Sequence, residues 1–243
     1  MKTLHIKLSN LLIMSLFTYL CSSCHLLYLP NQVNAPMLTD KNDLSGNISL
    51  GVSNVNLQAA FSPLNNIALM LNYAGGKTSN TDNSSIKNSY DFLEFGAGYY
   101  RPIAKNMLFD IYGGYGVGMA RTYADVWDAA TSVKGKYSRI FIQPSLTISA
   151  GDVFDANIAI RPVLIFMEKT TDNDLPTHSS KIFLEPVLTL KYGWKYIKII
   201  NQLGFSRPIS NLDYAYNPFI LSVGVNFQLK SSWRIKSKNQ EKL

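Results

Sequence analysis

The residues best suited to chemistry are Thr177-His178-Ser179-Ser180, with Glu185 five positions after the last serine. A histidine, a serine two residues along and a nearby carboxylate are the parts of an acyl-transfer site. In that role His178 is the base, Ser180 the nucleophile, and Glu185 orients the imidazole. The plainer reading of the same residues is a solvated histidine on a polar loop. Metal chemistry has little to draw on. After removal of a leader only His25, His178 and one cysteine remain, and no HExxH, CxxC pair or calcium loop occurs, so no metal or cofactor is implied. Gly113, Gly114, Gly116 and Gly118 invite a phosphate-loop reading. No helical pattern follows them, so relief of crowding in a sheet is expected instead.

Cys24 is the other reactive position. Lys2 and Lys7 precede an apolar run, Leu11 to Leu20, which is the layout of a secretory signal. Ser22 and Ser23 place small residues just before Cys24, whereas Tyr19 and Leu20 before Cys21 are too large. This resembles a bacterial lipobox, with Cys21 standing where the pattern prefers leucine. A lipoprotein signal peptide is therefore expected over 1–23, with lipidation at Cys24. Ordinary cleavage leaving a free N-terminus is the alternative. Residues 24–43 show no strand or helix period and contain Pro30 and Pro36, so they are expected to form an extended periplasmic tether.

The elements that must position these groups are strands. Residues 219–229 place Phe219, Leu221, Val223, Val225, Phe227 and Leu229 on one face, opposite Ile220, Ser222, Gly224, Asn226 and Gln228. That is a period of two over a length suited to a tilted membrane strand. The same rhythm predicts strands over 44–52, 54–62, 66–73, 90–100, 107–120, 137–149, 153–167, 181–192 and 195–205. Ten strands result, with eight as the alternative count. Short turns (63–65, 101–106, 150–153, 193–195) alternate with longer polar loops (75–89, 121–136, 168–180, 206–218). Outer-membrane barrels show this asymmetry, whereas a sandwich has no reason to sort loops by parity. The expected fold is all-β, an antiparallel up-and-down transmembrane β-barrel over 44–229. An even strand count puts both ends of such a barrel on the periplasmic side, with a basic periplasmic tail over 230–243.

In a barrel the apolar faces meet lipid and the other faces line the interior. Glu94, Asp110, Arg139, Asp155, Arg161, Glu185 and Lys191 are then a lumen charge network, close to balanced, that plugs rather than conducts. Gln143-Pro144, Arg161-Pro162 and Glu185-Pro186 recur on three successive strands. They read either as bulges or a shared bend, or as a polar interior layer. Aromatic girdles are expected from Tyr99, Tyr100, Tyr192, Trp194 and Tyr196 near the short turns. Tyr73, Tyr90, Phe92, Tyr123, Trp127 and Tyr137 would form the second girdle near the long loops.

Composition bounds these readings. The 243 residues are 47% hydrophobic and only 16% charged, with 14 Tyr and 12 Phe, which excludes disorder. The net charge of +7 is concentrated in the leader and the tail, leaving a nearly neutral body. A nucleic-acid partner, which would need a basic stripe on the folded body, is therefore not expected. Outer-membrane lipid is the expected partner, with a periplasmic or surface protein as a further one.

The stretch Tyr28-Leu-Pro-Asn-Gln-Val-Asn-Ala-Pro-Met-Leu38, then Leu44-Ser-Gly-Asn47, then Asn56-Leu-Gln-Ala-Ala-Phe-Ser-Pro-Leu-Asn-Asn66, resembles small lipid-anchored outer-membrane β-barrel proteins of the Bacteroidota type. The resemblance implies a Gram-negative cell-envelope location and an architecture, but no activity. The His-x-Ser at 178–180 also resembles the site of outer-membrane lipid A deacylases, without the surrounding motif of that family. The expected role is structural or interactive, not enzymatic. The alternatives are a deacylase-like hydrolase using His178, Ser180 and Glu185, or a narrow channel or surface adhesin.

Overall fold

The computed structural model describes residues 26–80, 85–126, 129–171, 174–212 and 214–231. The leader, Cys24 and most of the basic tail lie outside the described residues. Ten strands form the wall: β1 Leu44–Gly51, β2 Val55–Leu64, β3 Ile67–Asn80, β4 Ser85–Ala104, β5 Met107–Val126, β6 Ala129–Ala150, β7 Phe154–Thr171, β8 Thr177–Gly193, β9 Ile197–Phe205 and β10 Phe219–Leu229. Each pairs antiparallel with its sequence neighbour, and β10 pairs with β1, for example Asn226 with Asn47. The sheet therefore closes on itself and leaves no edge along its length.

Period-two patterning fixes the faces. Along β2, Val55, Leu57 and Phe61 are exposed on the outside, while Asn56, Gln58 and Ser62 are buried within. The same parity holds around the ring, so the outside is an apolar surface and the interior is polar. Trp194, Tyr99, Tyr192 and Tyr196 are exposed at the short-turn end, and Tyr73 and Tyr123 at the other. Tyr90, Phe92, Tyr100 and Tyr137 depart from the girdle expectation. They lie on the inward parity and are buried.

The long polar loops also differ from expectation. β3, β4, β5, β6, β7 and β8 extend well past the apolar belt, so residues 75–80, 85–89, 121–126, 129–136, 168–171 and 177–180 are strand. Backbone pairing does not depend on side-chain polarity, so an antiparallel ladder continues into water once the register is set. Only 206–218 remains a long connection, and parts of it form short bridges of their own. Arg207 and Pro208 pair with Leu184 and Phe183 of β8. The result is a tall wall over β4–β8 and a low wall over β9, β10, β1 and β2.

The three prolines do not mark bulges. Phe141 faces Val163 and Ser145 faces Ala159, so the same number of residues separates the pairs on β6 and β7. The ladder is simply open around Pro144 and Pro162, where no N–H is available. The glycines of β5 have a packing role. A Cβ at Gly116 would meet the Phe92 ring at 2.5 Å, and one at Gly118 would strike the Tyr137 ring. Their absent side chains let aromatic rings from neighbouring strands lie across the backbone.

Candidate functional site

The main site is the lumen, and its occupant is the chain itself. Residues 24–43 were expected to tether the barrel from outside. Instead, every residue from Leu27 to Leu38 is buried, and the segment runs through the barrel. At one end Leu26 and Tyr28 pair in parallel with Ala215 and Tyr216 of the 206–218 connection. At the other end the chain turns over 39–43 and enters β1 beside the end of β10. From Leu29 to Leu38 the segment forms neither helix nor ladder, and Pro30 and Pro36 have no N–H to donate to one. The location differs because only three-dimensional closure creates a channel that can hold it.

An extended segment without ladder partners must satisfy its peptide groups elsewhere, and the wall supplies them. The Tyr90 hydroxyl donates to the Leu29 carbonyl (2.9 Å), Arg161 Nη2 to Asn31 O (3.2 Å) and Gln58 Nε2 to Gln32 O (2.9 Å). Gln202 grips Val33 at both ends, accepting its N–H (3.0 Å) and donating to its carbonyl (2.6 Å). Gln143 donates to Asn34 O (2.8 Å), Lys191 to Ala35 O (2.7 Å) and Gln228 to Pro36 O (3.1 Å). The side chains of the segment join in. Asn47 and Ser49 donate to Gln32 Oε1, and Asn34 donates to Asn72 (2.7 Å).

The exit turn is pinned by buried Asp43. Its Oδ2 accepts the N–H groups of Thr39 (2.9 Å) and Asp40 (3.0 Å), and its Oδ1 accepts that of Ser231 (2.7 Å). One carboxylate thus ties the end of the segment to the end of the barrel.

The expected charge network exists as separate groups. Glu94, Arg139, Arg161 and Glu185 come together. Arg139 binds Glu94 through Nε (2.9 Å) and Nη2, and Arg161 binds Glu185 through Nε (2.9 Å) and Nη2 (2.7 Å). The two pairs are bridged by Arg161 Nη1 at 3.8 Å from Glu94 and by Tyr28. The Tyr28 hydroxyl accepts from Arg139 (3.2 Å) and donates to Glu185 (2.9 Å). The Arg139 guanidinium also lies 4.2 Å from the Phe92 ring centre. Asp155 stands apart near the short turns, paired with Lys198 at 2.6 Å. Lys191 serves the Ala35 carbonyl, and Asp110 accepts from Ser145. They are separate because strand register spreads the seven residues along the barrel axis. Sequence reading missed Tyr28, Asn31, Gln32 and Asn34 as partners. The run of amides between two prolines was the available signal.

The hydrolytic constellation is taken apart by strand parity. His178 and Ser180 lie on the outside of β8 and are exposed. Glu185 is on the opposite parity, buried in the lumen and held by Arg161, Tyr28 and Ser206. The carboxylate therefore does not reach the imidazole. His178 and Ser180 instead line a groove of about 850 Å³ on the outer face, with Tyr73, Asp91, Leu93 and Phe166. Among the described residues no group of three His, Cys, Asp or Glu is placed to hold a metal ion.

No family model matches the chain, and no curated protein sequence does. Among solved structures, the translocator domain of autotransporter NalP from Neisseria meningitidis is similar at a TM-score of 0.51. The match covers 94% of this chain and 97% of that chain, at 9% sequence identity. The fold is a closed ten-strand antiparallel β-barrel similar to that of an outer-membrane translocator domain. With identity so low, the likeness concerns the closed antiparallel wall and carries no activity.

The two ends of the barrel wall meet, Leu44 pairing with Leu229, but the segment before the wall runs to the other end. The described chain begins at the long-connection end, beside Ala215 and Tyr216, and finishes at the short-turn end, where Ser231 meets Asp43. The even strand count does return β10 to the starting end of β1. The segment before β1 then crosses back through the lumen.

Proposed function

We propose that this protein is an outer-membrane β-barrel lipoprotein that closes its lumen with its own N-terminal segment and sends its chain start to the outer face. The burial of Leu27–Leu38 carries the reading. A chain advancing ~3.3 Å per residue spans up to about 26 Å from Leu29 to Met37, the height of an outer-membrane apolar band. The exposed apolar exterior supports a lipid surround. Short turns lie on the periplasmic side of known barrels of this kind, so the 206–218 end faces outward. Cys24, two residues before Leu26, then carries its acyl chains beside the outer leaflet instead of on the periplasmic side. A barrel resembling a translocator domain and holding a chain segment end to end fits that direction of threading. The tail after Lys230 lies in the periplasm. The role is structural or interactive, and no catalytic step belongs to it.

Two measurements on the full chain test the reading. An epitope inserted between His25 and Leu26 should bind antibody on intact cells. An epitope protected until the outer membrane is opened would overturn the threading. In planar bilayers the heat-modifiable protein should not conduct. A steady open pore would overturn the plug in favour of a channel.

A further inference from the structure

Resting on that outer-membrane reading, we propose that the outer face of β3–β7 binds the phosphorylated headgroup of an outer-leaflet glycolipid of the lipid A type. Register places Lys77 opposite Ser89, Ser89 opposite Arg121, Arg121 opposite Lys134, and Lys134 opposite Thr170. All are on the outward parity, so three cations share one row across the wall. Arg121 and Lys134 are directly opposed, with Cβ atoms ~5 Å apart, an arrangement that is unfavourable without an anion between them. Among the described residues none of the three cations has an ion-pair partner. The row below behaves differently. There Lys136 meets Glu168 at 4.0 Å, and Asp91 accepts from Tyr73 at 3.0 Å. Among the described residues, acids thus compensate the lower row and leave the upper row open.

The height of the row selects the ligand. Two rows below it lie Tyr73, Leu93, Val117 and Phe166, and below those the wall is wholly apolar at Leu71, Phe95, Tyr115, Ile140, Leu164 and Ile182. Tyr73 marks the hydrocarbon boundary, as interfacial tyrosines do. The cations stand four residues above it, roughly 10 Å along a tilted strand, and their long stems can reach back towards the membrane. That is headgroup level. The outer-face groove opens between the boundary and the cations, giving room for a sugar headgroup beneath its phosphates. Guanidinium and ammonium donors suit phosphate oxygens, and the hydroxyls of Ser89 and Thr170 flank them. At the opposite rim, Arg101, Lys105 and Lys195 sit on a strand end and two separate turns without forming a row.

The test is native mass spectrometry of the detergent-solubilised full chain with bisphosphorylated lipid A. Its dephosphorylated form and phosphatidylglycerol serve as controls, alongside the triple variant Lys77→Gln, Arg121→Gln, Lys134→Gln. Wild type should favour bisphosphorylated lipid A over both controls, and the triple variant should bind it at least about tenfold more weakly. Heat-modifiable migration of both proteins checks that the barrel is intact. Equal retention by an intact triple variant, or equal binding of dephosphorylated lipid, overturns this site while leaving the barrel reading in place. Loss of heat-modifiability in the wild type would instead defeat the underlying reading.

Discussion

The β9–β10–β1–β3 side of the lumen holds the threaded segment with neutral side chains alone, chiefly amides, whereas the β4–β8 side adds ionised groups to the neutral contacts of Tyr90 and Gln143. Gln202, Gln228, Asn47, Gln58 and Asn72 each offer a donor and an acceptor, so a peptide unit can be matched at both ends, as Val33 is. Each such bond contributes a modest net amount, roughly 0.5–1.5 kcal/mol. Glu94, Arg139, Arg161 and Glu185 carry full charges in the dry interior, and they first neutralise one another. The segment joins them only through Tyr28 and Asn31. The amide side is therefore a set of independent grips, and the charged side is one coupled unit. The two should fail differently.

The largest effect is expected on the charged side. Arg139→Leu leaves Glu94 in the interior with Asn72 as its near partner and Arg161 at 3.8 Å. A loss of about 3–5 kcal/mol is expected in the unfolding free energy of the heat-modifiable form, read from urea titration. The double variant Glu94→Leu/Arg139→Leu should lose clearly less, because no orphaned charge remains. Additive losses would show that the unit is not coupled. On the amide side, Gln202→Leu strips both partners from Val33 and should cost about 1–3 kcal/mol. Pairing it with Gln228→Leu should give a sum of the separate losses, and strong non-additivity would erase the contrast between the sides. The smallest effect belongs to the exterior. His178→Ala should change stability by no more than ~0.5 kcal/mol, and lipid A acylation should be the same with either protein. A change in acylation would return His178 to a catalytic role.

Much of this was legible in the sequence because strands encode their faces with a period of two. Phe219 to Leu229 announced an outer face, and Asn226 and Gln228 an inner one, before any pairing was known. The inward placement of Glu94, Arg139, Arg161 and Glu185 followed from the same parity. The parity also forbids a site joining Ser180 to Glu185, since an odd separation along a strand puts the two on opposite faces. The loops were less legible. Residues 121–126 and 129–136 are polar, and polarity reads as loop, yet their neighbours hold them in the ladder. The aromatic residues Tyr90, Phe92 and Tyr137 sit near the ends of the strands read from the sequence, as girdle residues do, but the strands extend past them and their parity turns them inward over glycines.

The sequence by itself determined the all-β class, the up-and-down order and which residues face in, because alternation is a local property of the chain, while the count of ten over eight waited for the closed wall. It also set the polarity of the interior. Only the tertiary structure decided what fills that interior. Tyr28 to Leu38 carry no periodic signal, and their partners lie on strands up to 192 positions away, as Pro36 and Gln228 show. A segment held by side chains of a closed ring acquires its place only when the ring closes. The same closure turned a segment expected to lie outside the barrel into a thread through its lumen.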